Sequence, residues 1–244
     1  MSAASRPPVE LPPEHRRRWL VRTLVAVVVA VGLIVGGPWL YAKVIVPEPR
    51  EPLALSTPSP SPDATVGPSA EPLDLEGAWV VGEGSLAGYR LGEVLSGEQV
   101  TVAGRTDEVS GSATVTAGML TQATVVVETA GIATDESARD AYFRRALDTT
   151  TYPQATFELT APVDVSLIAT ETGTVVVDAP GNLTFHGVSR QVTASLEVQR
   201  TAEGVEVVGQ LPVVLEEYGL EAPDLGFVTV EPTGSVEFRL LLTR

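Results

Sequence analysis

The chain contains no cysteine, and it contains no lysine after Lys43. The absence of cysteine excludes disulfides, thiolate metal ligands, a cysteine nucleophile and a lipid-modified cysteine. Histidine is also scarce: His15 and His186 are the two in the chain, so a zinc or haem centre would lack ligands. A formal net charge of -15 disfavours binding to phosphate backbones, and nucleic acid is therefore not an expected partner.

Sequence patterns typical of enzymes are weak or missing. His186 and Ser189 lie on a predicted tight turn with no G-x-S-x-G elbow before them, which gives a hydrolytic triad little support. Glu216 and Glu217 are adjacent, and adjacent residues on a strand point to opposite faces, so they cannot flank one glycosidic bond. The sequence therefore favours ligand binding, and we predict that the protein is not an enzyme.

An uncharged apolar run, TLVAVVVAVGLIVGGPWLYA, occupies residues 23–42. As a helix, a run of this length crosses a hydrocarbon core of about 30 Å. Four arginines lie within residues 16–22, and positive charge before the run places the N-terminus in the cytoplasm. We predict a cytoplasmic basic tail at 1–22, a retained single-pass helix at 23–42 in the plasma membrane, and an extracytoplasmic remainder. A cleaved signal peptide is the alternative.

Residues 43–75 are rich in proline and serine, with eight prolines between positions 47 and 72. Such a composition cannot bury a core, and proline interrupts helices and central strands. We therefore predict an extended linker that holds the following domain away from the membrane surface.

Residues 76–244 are predicted to form one all-β domain. They carry 24 acidic residues and nine arginines, which accounts for the net charge of the chain. Stretches rich in valine and threonine alternate from QVTVAGR (99–105) to GSVEFRLLLT (234–243), and turn signals separate them. Short, regularly spaced strands with tight turns indicate a sandwich or an up-and-down barrel rather than alternating β/α units.

One segment, residues 135–159, departs from the strand pattern and predicts a short inserted helix. One helical face carries Ala138, Tyr142 and Ala146, with Phe143 and Leu147 beside it. Thr134 or Asp135 can cap its start, and Pro153 ends it. A helix inserted between barrel strands is suited to cover the mouth of the barrel.

Candidate ligand-binding residues follow from this arrangement. Alternate positions would line the inside of a barrel with aliphatic groups: Val125, Val127, Val175, Val177, Val207 and Leu240. The alternative is that these side chains fill an ordinary core without a cavity. Four aromatic residues near the helix pack it onto the barrel, line the entrance, or do both: Tyr142, Phe143, Tyr152 and Phe157.

Two motifs and their order resemble the YceI family, whose members bind polyisoprenoids and other lipids. They are YP-x-A-x-F at 152–157 and G-x-LT-x-HGV-S-R at 181–190, and the likeness extends over about residues 78–244. The resemblance implies an extended, lipocalin-like antiparallel β-barrel in an extracytoplasmic protein. It also implies an isoprenoid, quinone-type or fatty-acyl chain held in the barrel. The stretch EEYGLEAPDLG (216–226) is acidic where the family is usually basic or polar, which favours a neutral lipid or quinone over a diphosphate.

His186 occupies a predicted hairpin corner, and Phe185, on the opposite face of the strand, is a further candidate ligand-binding residue. It is either a hydrogen-bonded turn residue or a polar contact for a ligand head group. Arg190 either meets such a head group or pairs with Asp135 or Asp140 and so fixes the helix to the barrel.

The sequence thus predicts a membrane-anchored, extracytoplasmic lipid-binding protein without catalysis. Its partners would be the lipid and the membrane, with a homodimer left open, and it would need no cofactor besides the bound lipid. A ligand-free envelope scaffold or adhesion domain is one alternative, and an enzyme acting on a lipid head group is another.

Overall fold

The computed structural model describes residues 50–56, 72–95, 97–226 and 228–244. All of them belong to one compact unit, Glu48–Arg244. The predicted basic tail and transmembrane helix, and part of the predicted linker, lie outside the described residues. Within the described residues, no helix is long and apolar enough to span a membrane.

The described residues form eleven strands and two short helices. The strands are β1 (Gly77–Val81), β2 (Leu86–Leu95), β3 (Glu98–Thr106), β4 (Val109–Thr116), β5 (Met119–Glu128), β6 (Gln154–Leu159), β7 (Val163–Asp164), β8 (Val175–Phe185), β9 (Val188–Arg200), β10 (Val205–Val214) and β11 (Val228–Thr243). The helices are α1 (Ser137–Ala146) and α2 (Ser166–Thr170), and single turns of 3-10 helix occupy Thr129–Gly131 and Leu215–Tyr218. The prediction of an all-β domain with one inserted helix is confirmed, except that α2 adds a second, shorter helix.

The strands close into an antiparallel barrel. Around the ring, the order is β1, β4, β5, β6, β8, β9, β10 and β11, and β11 pairs back with β1. This order departs from a simple up-and-down barrel, because the β2–β3 hairpin also pairs with β11. β11 is sixteen residues long, whereas β1 pairs with it only near its end, so the same edge accommodates both β1 and β2.

Two hairpins turn on residue pairs with positive φ. Ala117 and Gly118 join β4 to β5, and His186 and Gly187 join β8 to β9. Two successive positive φ angles are typical of a type I′ turn, whose twist matches that of the flanking strands. The predicted hairpin corner at His186 is confirmed by this geometry.

Helix α1 lies over one end of the barrel and packs on it through only part of the predicted apolar side. Phe143 stacks on Tyr89 of β2 at 4.6 Å between ring centroids, and Leu147 just after the helix is 8% exposed. Tyr142, which was expected on the buried face, is 40% exposed. The larger apolar side chains decide the orientation, because they bury more surface than the alanines beside Tyr142.

The cap and the anchor of α1 also differ from the prediction. The Glu136 side chain, rather than Thr134 or Asp135, caps the helix by accepting a hydrogen bond from the Ala138 amide at 3.1 Å. Arg139 on the helix pairs with Glu93 on β2 at 3.5 Å and fixes the helix to the barrel.

Of the two alternatives for Arg190, the pairing with Asp135 or Asp140 is wrong. Arg190 donates a hydrogen bond to the Glu217 carbonyl at 3.0 Å, on another part of the surface. Asp140 instead accepts hydrogen bonds from Thr134, and Asp135 pairs with Arg139.

Both described parts of the predicted linker lie against the barrel. Leu75 is 8% exposed, and its carbonyl accepts a hydrogen bond from the Trp79 indole at 2.8 Å. Further back, Ser56 hydrogen-bonds Glu206 of β10. The folded unit therefore includes residues that composition alone assigned to a free spacer.

Candidate functional site

A cavity of about 150 Å³ lies inside the barrel, and its walls are almost entirely apolar. Alanines contribute to the wall from six different strands: Ala87, Ala113, Ala123, Ala155, Ala179 and Ala194. In an eight-stranded barrel, larger inward side chains normally fill the interior. The cavity exists because alanine occupies these inward positions.

Four of the six alanines form two pairs in register on neighbouring strands. Ala113 on β4 is paired with Ala123 on β5, and Ala179 on β8 is paired with Ala194 on β9. Ala179 and Ala194 are each 1% exposed, so their methyl groups lie within the barrel wall rather than at its surface. Both alanine pairs thereby leave space in the wall of the middle cavity.

Two smaller cavities continue this middle cavity in opposite directions. The upper cavity, of about 100 Å³, lies beneath α1 and is lined by Tyr89, Phe143 and Leu220. The lower cavity, of about 80 Å³, lies beside α2 and is lined by Trp79 and Ile168. The middle cavity shares wall residues with both, namely Ala87, Val127, Ala155 and Val236 above and Ala113, Leu120, Leu196, Val207 and Leu242 below. The three cavities form one row along the barrel.

No charged side chain lines any of these three cavities in the described part of the chain. The Tyr89 hydroxyl is a polar group at the upper end, and burial raises its pKa well above the usual range, which keeps the phenol neutral. Among the described residues, no cluster of acidic or histidine side chains is suited to hold a metal ion. The interior is therefore suited to an apolar chain, with room for a neutral polar group near Tyr89.

Most of the predicted aliphatic lining residues do face the cavities. Val125, Val127 and Leu240 line the middle cavity, Val177 lines the lower one, and Val207 lines both. Val175 is buried in the core, but it is not part of the wall of these three cavities. Whether these side chains contact a ligand stays a prediction.

The predicted aromatic residues are divided between the interior and the surface. Phe157 lines the middle cavity, and Phe143 and Phe185 line the upper one. Tyr142 and Tyr152 are 40% and 38% exposed and lie outside the cavities. The phenylalanines point into the barrel and the two tyrosines do not. Nearness to the helix in sequence was not enough to predict this difference.

His186 and Arg190 do not face the three interior cavities. The His186 ring nitrogen Nδ1 lies 2.9 Å from the Tyr218 carbonyl, and its ring meets that of Tyr152 edge to face at 5.3 Å. Arg190 borders an open depression of about 560 Å³ on the outer surface, beside Glu217. These contacts connect the β8–β9 hairpin to the Leu215–Tyr218 turn, and neither side chain lines the interior cavities.

The two sequence motifs meet through close packing. Gly181 on β8 pairs with Leu159 on β6, and a side chain at Gly181 would overlap the Phe157 ring. Similarly, a side chain at Gly187 would overlap the Tyr152 ring. The aromatic residues of the first motif therefore require the glycines of the second, which accounts for their occurrence together.

Sequence reasoning missed the alanines, although a signal was present. Each lies in phase with inward valine or leucine residues on its own strand, as Ala179 does with Leu183. Small residues at inward positions on several strands mark a place where a barrel is not filled by its own side chains.

The described residues thus define a class of protein by its architecture: an antiparallel β-barrel with a row of apolar cavities inside it. The chain belongs to the YceI-like domain family, whose model matches residues 87–242. This membership confirms the resemblance that the two motifs indicated.

Three solved structures are similar to this chain to different degrees. A polyisoprenoid-binding domain from Saccharophagus degradans, implicated in plant cell wall breakdown, is 24% identical with a TM-score of 0.55, covering 69% of this chain and 99% of that one. BcnA of Burkholderia cenocepacia is 18% identical, with a TM-score of 0.49 and coverage of 64% and 96%. The YCEI protein of Campylobacter jejuni is 16% identical, with a TM-score of 0.38 and coverage of 56% and 83%. A search of curated proteins found no match.

Proposed function

We propose that this protein binds an apolar lipid chain inside the barrel and holds it without chemical change. The observation that carries the proposal is the row of three apolar cavities, of which the middle one is lined by alanines from six strands. An isoprenoid, quinone-type or fatty-acyl chain matches such a site. The polyisoprenoid-binding domain of Saccharophagus degradans, which shares the fold, supports the same class of ligand.

Hydrophobic burial supplies the affinity in this proposal. Each buried methylene group contributes about 0.8 kcal/mol, so about ten of them gain about 8 kcal/mol before the unfavourable entropy of association. No cation is then required to clamp a head group. Because the cavity walls carry no charge, the proposal favours a lipid with a neutral head over a diphosphate.

The location of the protein is part of the proposal and rests on sequence. The apolar run at 23–42 and the arginines before it support a single-pass anchor with the barrel on the extracytoplasmic side. An anchored barrel of this kind would take up or deliver lipid at the membrane surface.

Native mass spectrometry of residues 48–244, purified without detergent from the native host, tests the proposal directly. We expect a co-purifying mass of isoprenoid, quinone or acyl type at about one per chain, which solvent extraction would then identify. A purely apo mass, together with no uptake of added prenyl lipids or quinones, would overturn the proposal. The ligand-free scaffold would then be the better explanation.

A further inference from the structure

Residues 50–56, with the sequence REPLALS, lie on the outside of the barrel, and we refer to them as the strap. They have no regular secondary structure. Leu53 and Leu55 are half-buried, whereas Ala54 between them is exposed. This alternation indicates that one side of the strap faces the barrel wall.

Two arginines on the wall hold the first half of the strap. Arg90 donates a hydrogen bond to the Arg50 carbonyl at 2.7 Å, and Arg105 donates one to the Glu51 carbonyl. The Glu237 carboxylate pairs with both guanidinium groups, at 3.3 Å from that of Arg90 and 2.8 Å from that of Arg105. The guanidinium groups are therefore already positioned to receive backbone carbonyls of a chain crossing the wall.

A carboxylate on the wall holds the other end. The Glu206 side chain accepts hydrogen bonds from the Ser56 amide at 3.1 Å and from the Ser56 hydroxyl at 2.9 Å. Gln199 donates to the Ser56 carbonyl at 2.9 Å and to Glu206 at 2.6 Å. Every backbone polar group of Ser56 thus has a partner on β9 or β10.

Burial on β10 marks the area that the strap covers. Every residue from Val205 to Gly209 is buried, whereas buried and exposed residues alternate from Gln210 to Val214. A barrel strand buries one face on the core and normally exposes the other. Burial on both faces is confined to the half of β10 that contains Glu206, which the strap contacts.

The buried carboxylates of the wall favour a peptide that supplies them with hydrogen bonds. Buried carboxylates such as Glu206 and Glu237 are unfavourable unless their hydrogen bonds are complete. The strap completes them at Glu206 through Ser56, while Leu53 and Leu55 add apolar contact. Pro52 restricts the free strap, which reduces the entropy lost on docking.

We propose that the outer wall formed by β9, β10, β11, β2 and β3 is a peptide-binding site, occupied in this chain by the strap. The strap is then a second, non-covalent attachment of the barrel to the N-terminal part of the chain. Fifteen residues, 57–71, separate it from the next described segment. A chain cut within those residues should keep its barrel attached through the strap. This proposal does not depend on lipid binding.

A cleavable form of the protein tests the proposal after the intact chain has folded. A specific protease recognition sequence is placed within residues 57–71 of the 48–244 protein, which is then purified and cut. We expect the two pieces to elute together in gel filtration at micromolar concentration. Native mass spectrometry should show one complex with the summed mass of both pieces.

Matched variants distinguish docking from non-specific adhesion. Leu53→Asp should weaken retention of the cut strap by roughly tenfold or more, because it places a charge on the buried side. Ala54→Asp, next to it on the exposed side, should leave retention within roughly twofold. Separation of the two pieces without any substitution would overturn the proposal, as would equal retention in both variants. A synthetic peptide of residues 48–58 should compete for the wall of the cut protein.

Discussion

The two faces of β10 are in contact with different chemistry, and along Val205–Gly209 both are buried. Val207 and Leu211 face the interior, where apolar walls leave space unfilled. Glu206 and Val208 face outward, where the strap contacts the carboxylate of Glu206. The inner face is suited to non-directional contacts with an apolar chain, whereas the charged groups of the outer face need hydrogen-bond partners, which the backbone of the strap and the Ser56 hydroxyl supply.

The largest expected effect comes from removing a charge on the outer face. Glu237→Ala leaves Arg90 and Arg105 without their shared carboxylate, in a region where both guanidinium groups are largely buried. We expect the free energy of unfolding to fall by about 3 kcal/mol, as measured by urea denaturation. Glu197→Ala, on the exposed side of β9, is the matched control and should change it by less than about 0.5 kcal/mol. Equal decreases in the free energy of unfolding for the two variants would mean that Glu237 does not stabilise Arg90 and Arg105 beneath the strap.

Filling the middle cavity should weaken ligand binding strongly, with a smaller effect on the free energy of unfolding than Glu237→Ala has. Ala194→Leu inserts a larger side chain into the middle cavity, where the wall of β9 is thinned. We expect uptake of a fluorescent prenyl or acyl probe to fall at least tenfold, with a change in the free energy of unfolding of about 1–2 kcal/mol. Ala146→Leu, on the exposed end of α1, should leave uptake unchanged. Unchanged uptake in Ala194→Leu would place the ligand outside the middle cavity.

The sequence was sufficient to predict the inner face in outline. Alternating valines such as Val125 and Val177 identified inward positions, because side chains on a strand alternate between faces. The alanines that open the cavity escaped notice, since alanine alone does not distinguish a cavity wall from close packing. The two motifs located His186 at its turn, which local backbone preference determines.

The docking of the strap on the outer face could not be predicted from the sequence, for a different reason. The segment PEPREPLALS has the composition of a free linker, and nothing local in it indicates docking. Its contacts with Glu206 and Arg105 join residues more than fifty positions apart in sequence, so only the folded barrel brings them together. The exposure of Tyr142 on α1 was not predicted, because Phe143 stacks on Tyr89, which lies on a strand distant in sequence.

Helix α1 covers one end of the barrel, where Arg139 pairs with Glu93 of β2. Weakening this contact should speed the dissociation of a bound ligand more than it lowers the free energy of unfolding. Glu93→Gln removes the charge that Arg139 contacts on β2. We expect bound probe to dissociate roughly threefold faster, with a loss of about 1 kcal/mol in the free energy of unfolding. Asp135→Asn alters the other, more exposed partner of Arg139 and should leave the dissociation rate nearly unchanged. Equal dissociation rates in both variants would mean that the position of α1 does not control how fast the probe leaves the barrel.

The smallest expected effect is a pH dependence from Tyr89, whose ring lines the upper cavity. Burial raises the pKa of this phenol in the folded protein, whereas in the unfolded chain it ionises near its ordinary value of 10. Its contribution to stability is therefore complete below pH 10 and decreases as the pH rises above 10, because only the unfolded chain releases the proton there. Urea denaturation at increasing pH should show a decline that Tyr89→Phe reduces and that Tyr142→Phe, at an exposed position on α1, leaves in place. An identical decline in all three proteins would show that the upper cavity admits water, and the inner face would then not be dry at the end where a lipid head group would lie.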